Sequence, residues 1–89
     1  MTHADPRAAA LILRYETLTP ADLDALAELY AEDCRFKDPF NEVRGRAAVR
    51  RIFAHMFETV QSPRFVVHEA LVEGDQCFLG WEFHAGGFV

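Results

Sequence analysis

Residues 30–45 read Tyr30-Ala31-Glu32-Asp33-Cys34-Arg35-Phe36-Lys37-Asp38-Pro39-Phe40-Asn41-Glu42-Val43-Arg44-Gly45, and this stretch decides the fold. A helix is expected to stop near Asp33. Residues 34–38 then alternate: Cys34, Phe36 and Asp38 share one face of a short strand, and Arg35 and Lys37 share the other. Proline has no N–H to give a sheet ladder, so Pro39 closes the strand. Residues 39–45 read as a loop leading to a new helix.

Upstream, two helices are announced by the same punctuation. Asp5-Pro6 and Thr19-Pro20 each place a capping side chain before a proline, which is tolerated at the first helical position. Ala8, Leu11, Ile12 and Tyr15 recur at helical spacing in the first; Leu23, Leu26, Ala27 and Tyr30 do so in the second. Downstream, Val49, Ile52, Phe53, Met56, Phe57 and Val60 form the wide apolar stripe of a third helix. Arg46, Arg50, Arg51 and Glu58 lie off that stripe, and Gln61-Ser62-Pro63 ends it. Residues 64–73 are rich in β-branched side chains. Residues 76–84 alternate, with Cys77, Leu79, Trp81 and Phe83 on one face. Glu73-Gly74-Asp75 is a tight-turn signal, so these two strands form a hairpin. Gly86-Gly87 bends or ends the last strand.

Eighty-nine residues make one domain at most. Hydrophobic residues are 51% of the chain and eight are phenylalanine, which is ample core material for this length. The net charge of −5 argues against nucleic acid as a partner. The cluster Arg44, Arg46, Arg50 and Arg51 reads as a solvated helix face. Cys34 and Cys77 form no C-x-x-C pair and have no histidine at metal-ligand spacing, so they read as buried free thiols and no metal site is expected. No run approaches the roughly 18 apolar residues a membrane span needs. A reducing, cytoplasmic setting is the expectation.

The order helix, helix, strand, helix, strand, strand, and the text of residues 30–40 followed by Val43-Arg44-Gly45 and Arg46-Ala47-Ala48-Val49, resemble the nuclear transport factor 2-like superfamily. That group includes SnoaL-like polyketide cyclases and ketosteroid isomerases. The resemblance covers residues 8–84. It implies an α+β fold in which three helices from the first part of the chain pack on a curved antiparallel sheet, a cystatin-like cone. The cone is expected to be incomplete: residues 1–89 form one domain lacking the late strands. The resemblance also implies an apolar small molecule as ligand, no cofactor, and a homodimer.

Two residues carry the chemistry that the resemblance implies. In ketosteroid isomerases the aspartate of the Asp-Pro-Phe motif is the general base, a role that falls on Asp38. A tyrosine of the first helix donates to the developing oxyanion, a role that falls on Tyr15. The expected activity is cofactor-free proton transfer on an apolar carbonyl compound. A carboxylate turned into an apolar cavity loses hydration and becomes a better base. The alternatives read from the residues alone are an Asp38 that initiates a turn before proline and a Tyr15 that is a core tyrosine. Tyr30, Phe36, Phe40, Phe53, Phe57, Trp81 and Phe83 are expected to line the pocket or the core. A protonated aspartic acid that completes the oxyanion hole of those isomerases comes from a late strand. A non-catalytic ligand-binding or dimerisation module, or an inactive truncated chain, is the rival expectation. The strand at 76–84 would then seek cover from a second copy.

Overall fold

Asp5 accepts a hydrogen bond from the Arg7 N–H at 2.8 Å and Pro6 takes the first helical position, so the chain enters α1 (Pro6–Glu16) at the expected residue. The computed structural model describes residues 2–86. The Asp22 carboxylate accepts from the Thr19 N–H at 2.9 Å and from its hydroxyl at 2.8 Å. This box opens a 3₁₀ turn, Pro20–Asp22, that runs into α2 (Leu23–Glu28). The remaining elements are β1 (Arg35–Lys37), β2 (Glu42–Arg44), α3 (Arg46–Thr59), β3 (Arg64–Glu73) and β4 (Gln76–His84).

The α+β class holds, with three corrections to detail. Helix α2 ends at Glu28 rather than near Asp33. The Leu29 and Tyr30 N–H groups bond back three residues, to Leu26 and Ala27, and this tightening ends the helix early. Residues 42–44 are a strand, not loop: Phe36 pairs with Val43 and Lys37 with Glu42 in an antiparallel hairpin. Three residues with one apolar side chain are too short to show a period. Finally, among the described residues the strands form two two-stranded sheets, β1–β2 and β3–β4, rather than one three-stranded sheet.

The β3–β4 hairpin has the expected bounds, and Gly74 adopts the left-handed φ of 59° that its turn demands. Val67 pairs with Trp81 and Glu69 with Gly80, so His68 is a bulge. A bulge bends and twists its strand. Helix α1 lies along β3 and is tied at both ends. Arg7 donates to the Gly74 carbonyl at 2.9 Å and reaches Asp75 at 3.3 Å. The Glu16 carboxylate accepts from the Val67 N–H at 3.0 Å, beside the bulge.

The core lies between the three helices and the inner face of β3–β4. Ile12, Leu26 and Val49 are fully buried, and Tyr15, Phe53, Phe65, Val67 and Ala70 complete the contiguous cluster with Leu23. The outer face of the hairpin is different. Leu71 and Phe78 are register partners there and are 59% and 61% exposed. Gly86 donates to the Gln61 carbonyl at 2.7 Å, which ends the chain's course along β4 as the glycine signal implied. Gly87 lies outside the described residues.

Candidate functional site

The aromatic side chains assemble into one connected set. Tyr30 meets Phe36 edge-on, Phe36 meets Phe53, and Phe53 meets both Tyr15 and Phe65, with centroids 5.5–6.1 Å apart. Phe65 then contacts Trp81 at 5.3 Å and Phe83 at 5.1 Å. These tilted and edge-on geometries satisfy the ring quadrupoles as well as the packing. Of the residues expected to line a pocket, Phe36, Phe53, Trp81 and Phe83 belong to this set. Phe57 is half-buried and packs against the same core. Phe40 does not: it sits at the tip of the β1–β2 turn, 86% exposed. The Asp-Pro-Phe turn carries its ring outward, away from the core.

Tyr15, only 7% exposed, brings its hydroxyl into hydrogen-bond contact with the hydroxyl of Tyr30. One phenol must donate and the other accept, so the pair has one proton left to give a third group. Burial pushes the Tyr15 phenol well above its ordinary range; the adjoining Tyr30 phenol and the charge of Asp38 push it the same way. Burial also raises Tyr30, while its contact with Tyr15 pulls in the opposite direction. Both phenols therefore remain neutral donors at any physiological pH. The chain has two tyrosines, and both are used here.

Asp38 is half-buried and directly follows the last residue of β1. Its Oδ1 accepts from the Phe40 N–H at 2.8 Å, the Asn41 N–H at 2.6 Å and the Asn41 Nδ2 at 3.2 Å. This is the turn chemistry that the aspartate-proline pair predicted as the alternative. Oδ2 has a single long contact, Asn41 Nδ2 at 3.4 Å, and retains acceptor capacity. A shallow hollow of about 240 Å³ opens beside it, lined by residues 37–42. Tyr15 does not line this hollow, so the structure does not bring the two residues to one cavity.

Three residues behave otherwise than the sequence suggested. Arg46, expected on a solvated face, folds back so that Nε (3.1 Å) and Nη2 (2.6 Å) donate to the Tyr30 carbonyl. Cys77 is exposed rather than buried, and Cys34 is half-buried; both are free thiols. On the hairpin, His68 contacts Glu82 across the strands, and His84 approaches the other Glu82 oxygen at 3.5 Å. Among the described residues no group of three or more His, Cys, Asp or Glu side chains is arranged to hold a metal ion. Among the described residues no helix is long and apolar enough to cross a membrane.

Tyr30, expected among the residues that line the pocket or the core, packs against the core and also meets the Tyr15 hydroxyl, a contact that periodicity does not signal. Three helices and two antiparallel hairpins, with a phenol pair set into an aromatic core, make an α+β protein. The family model described as SnoaL-like domain matches residues 14–88, and the chain belongs to that family, within the nuclear transport factor 2-like superfamily. No curated protein and no solved structure matches the chain.

Proposed function

We propose that this chain binds a small apolar compound bearing a carbonyl or enol oxygen, and that the Tyr15–Tyr30 pair donates to that oxygen. The observation that carries the reading is the hydroxyl–hydroxyl contact inside an aromatic core. A phenol held by a second phenol presents an oriented, uncharged donor where water is scarce. Such a donor stabilises developing negative charge on oxygen without reorganising during the reaction. The family's small-molecule-binding and isomerase-type fold supports the same reading. Phe36, Phe53, Trp81 and Phe83 supply the apolar contacts, and Phe57 supports them from α3.

A finer reading assigns cofactor-free proton transfer next to the carbonyl, with Asp38 as base through Oδ2. It is supported by the spare acceptor capacity of that atom and by the reach of its charge to Tyr15. The exposed Leu71–Phe78 pair on the outer sheet face favours a second copy of the chain as partner, since uncovered apolar area costs about 25 cal/mol per Å².

The matched ligands 1-tetralone and tetralin, which differ by one carbonyl, test the primary reading through Trp81 fluorescence. The ketone is expected to bind about 5- to 10-fold more tightly, the worth of one hydrogen bond. Tyr15→Phe is expected to remove that preference. Equal affinity for the two ligands in the native protein contradicts the proposal. For the finer reading, exchange of the tetralone α-protons in D₂O should be catalysed by the native protein and lost in Asp38→Asn.

A further inference from the structure

We infer that Arg46 is the positioning residue of the tyrosine pair: by holding the Tyr30 carbonyl, its guanidinium sets where the Tyr30 hydroxyl meets that of Tyr15. The inference rests on the reading of that pair as the donor, and it assigns the residue that sets the donor's geometry.

Tyr30 lies beyond the last residue of α2, so no continuing helix fixes its backbone. Residues 31–34 run without regular structure to β1. What holds the segment is the start of α3. Arg46 gives two side-chain N–H groups to the Tyr30 carbonyl, at 2.6 and 3.1 Å. Its own backbone N–H reaches the Glu32 carbonyl at 3.2 Å, and the Gly45 N–H reaches the Cys34 carbonyl at 2.7 Å. Four donors from two consecutive residues thus grip three alternate carbonyls of residues 30–34. Gly45 suits this close approach because its φ is 91°, a conformation that other residues rarely adopt.

The side chain of Arg46 is set apart from the other arginines of its helix. Arg50 and Arg51 are exposed, and Arg50 pairs with Asp24 at 2.6 Å. Arg46 is half-buried, and among the described residues it forms no ion pair with a carboxylate; its charge is directed at one main-chain oxygen. Hydrogen bonds from an ionised donor are roughly twice as strong as neutral ones, and the planar fork fixes the direction of approach. A solvated arginine has no need of this geometry. The same grip ends one residue before β1, whose Phe36 packs against the core.

The experiment uses tyrosine labelled with ¹³C at Cζ, which yields two resonances because the chain has two tyrosines. Each reports the hydrogen bonding and ionisation of its own phenol. Arg46→Met is expected to shift and broaden the Tyr30 resonance and to move Tyr15 with it. Arg50→Met, which breaks the Arg50–Asp24 pair between α3 and α2, is expected to leave both resonances in place. Arg46→Lys, which keeps the charge but not the fork, is expected to recover part of the shift. Should Arg46→Met not fold, Arg46→Lys and Arg46→Gln are read against Arg50→Met in its place. Tyrosine resonances that move no more in the Arg46 variants than in Arg50→Met overturn the inference. Tyr30→Phe is expected to move the Tyr15 resonance; if it does not, the hydroxyl contact is absent and the inference falls with it. If the Arg46 variants behave as expected but tetralone and tetralin bind alike, Arg46 keeps its role and the functional reading alone is lost.

Discussion

The two halves of the proposed site are built by opposite means. Tyr15 belongs to the core: it packs on Phe53 and Phe65, it is almost fully buried, and α1 is pinned to β3 at both ends beneath it. Asp38 belongs to a turn. Its partners are two to three residues away in sequence, and the neighbouring Phe40 ring is exposed. The donor half is therefore held by the cooperative fold, while the base half is held by local hydrogen bonds. Changes to the first should cost stability and function together. Changes to the second should alter chemistry with little effect on folding.

The largest effect that separates the halves is expected from Phe53→Ala. This side chain touches Tyr15, Phe36 and Phe65 from the middle of α3, and its loss leaves a cavity at the centre of the aromatic set. Denaturant unfolding should show a loss of about 3–5 kcal/mol. A loss near the surface-mutation level, about 0.5 kcal/mol, would mean that the aromatic set is not the core of the domain.

Tyr15→Phe comes next. It keeps the ring packing and strands the Tyr30 hydroxyl, at a cost of about 1–3 kcal/mol. The pair also makes stability depend on alkaline pH. Burial raises both phenols above their unfolded values near 10. Between the unfolded and folded values the unfolded chain has lost protons that the folded chain retains. The stabilisation is thus complete below pH 10 and falls as pH rises, by up to about 1.4 kcal/mol per pH unit for each tyrosine. Urea titrations between pH 9 and 11 should show this slope, and a Tyr15→Phe, Tyr30→Phe double variant should flatten it.

The smallest effects are expected at the turn. Asn41→Ala removes the Nδ2 contacts to Asp38 and keeps the backbone ones, so its cost should stay below about 1 kcal/mol. Phe40→Ala should fall within about 0.5 kcal/mol of the native chain. A large destabilisation from either would make the turn part of the cooperative core and erase the contrast between the halves.

The parts legible in the sequence are those that repeat. The stripe of α3, the alternation of β4 and the cap-proline pairs of α1 and the 3₁₀ turn each carry a period or a punctuation mark, and the structure follows them. The bounds of β3 and β4 were readable because a glycine turn separates two unambiguous runs. The short β2 was not readable, because three residues hold no period. Tyr30 and Arg46 escaped for a different reason. Their roles depend on where α2 stops and where the chain returns at Gly45, and those are tertiary facts. An arginine off an apolar stripe looks solvated until a carbonyl is found within its reach. Asp38 was legible as a choice between turn and base; the structure supplies the turn bonds on one oxygen and leaves the other with spare capacity.

The central claim is that the Tyr15–Tyr30 pair meets the oxygen of a ligand. Titrating 1-tetralone into protein labelled with ¹³C at tyrosine Cζ tests it most directly. Both resonances are expected to move together along one saturating curve, matching the curve read from Trp81 fluorescence, and tetralin is expected to move neither. Saturation of the Trp81 signal with both tyrosine resonances unmoved would contradict it.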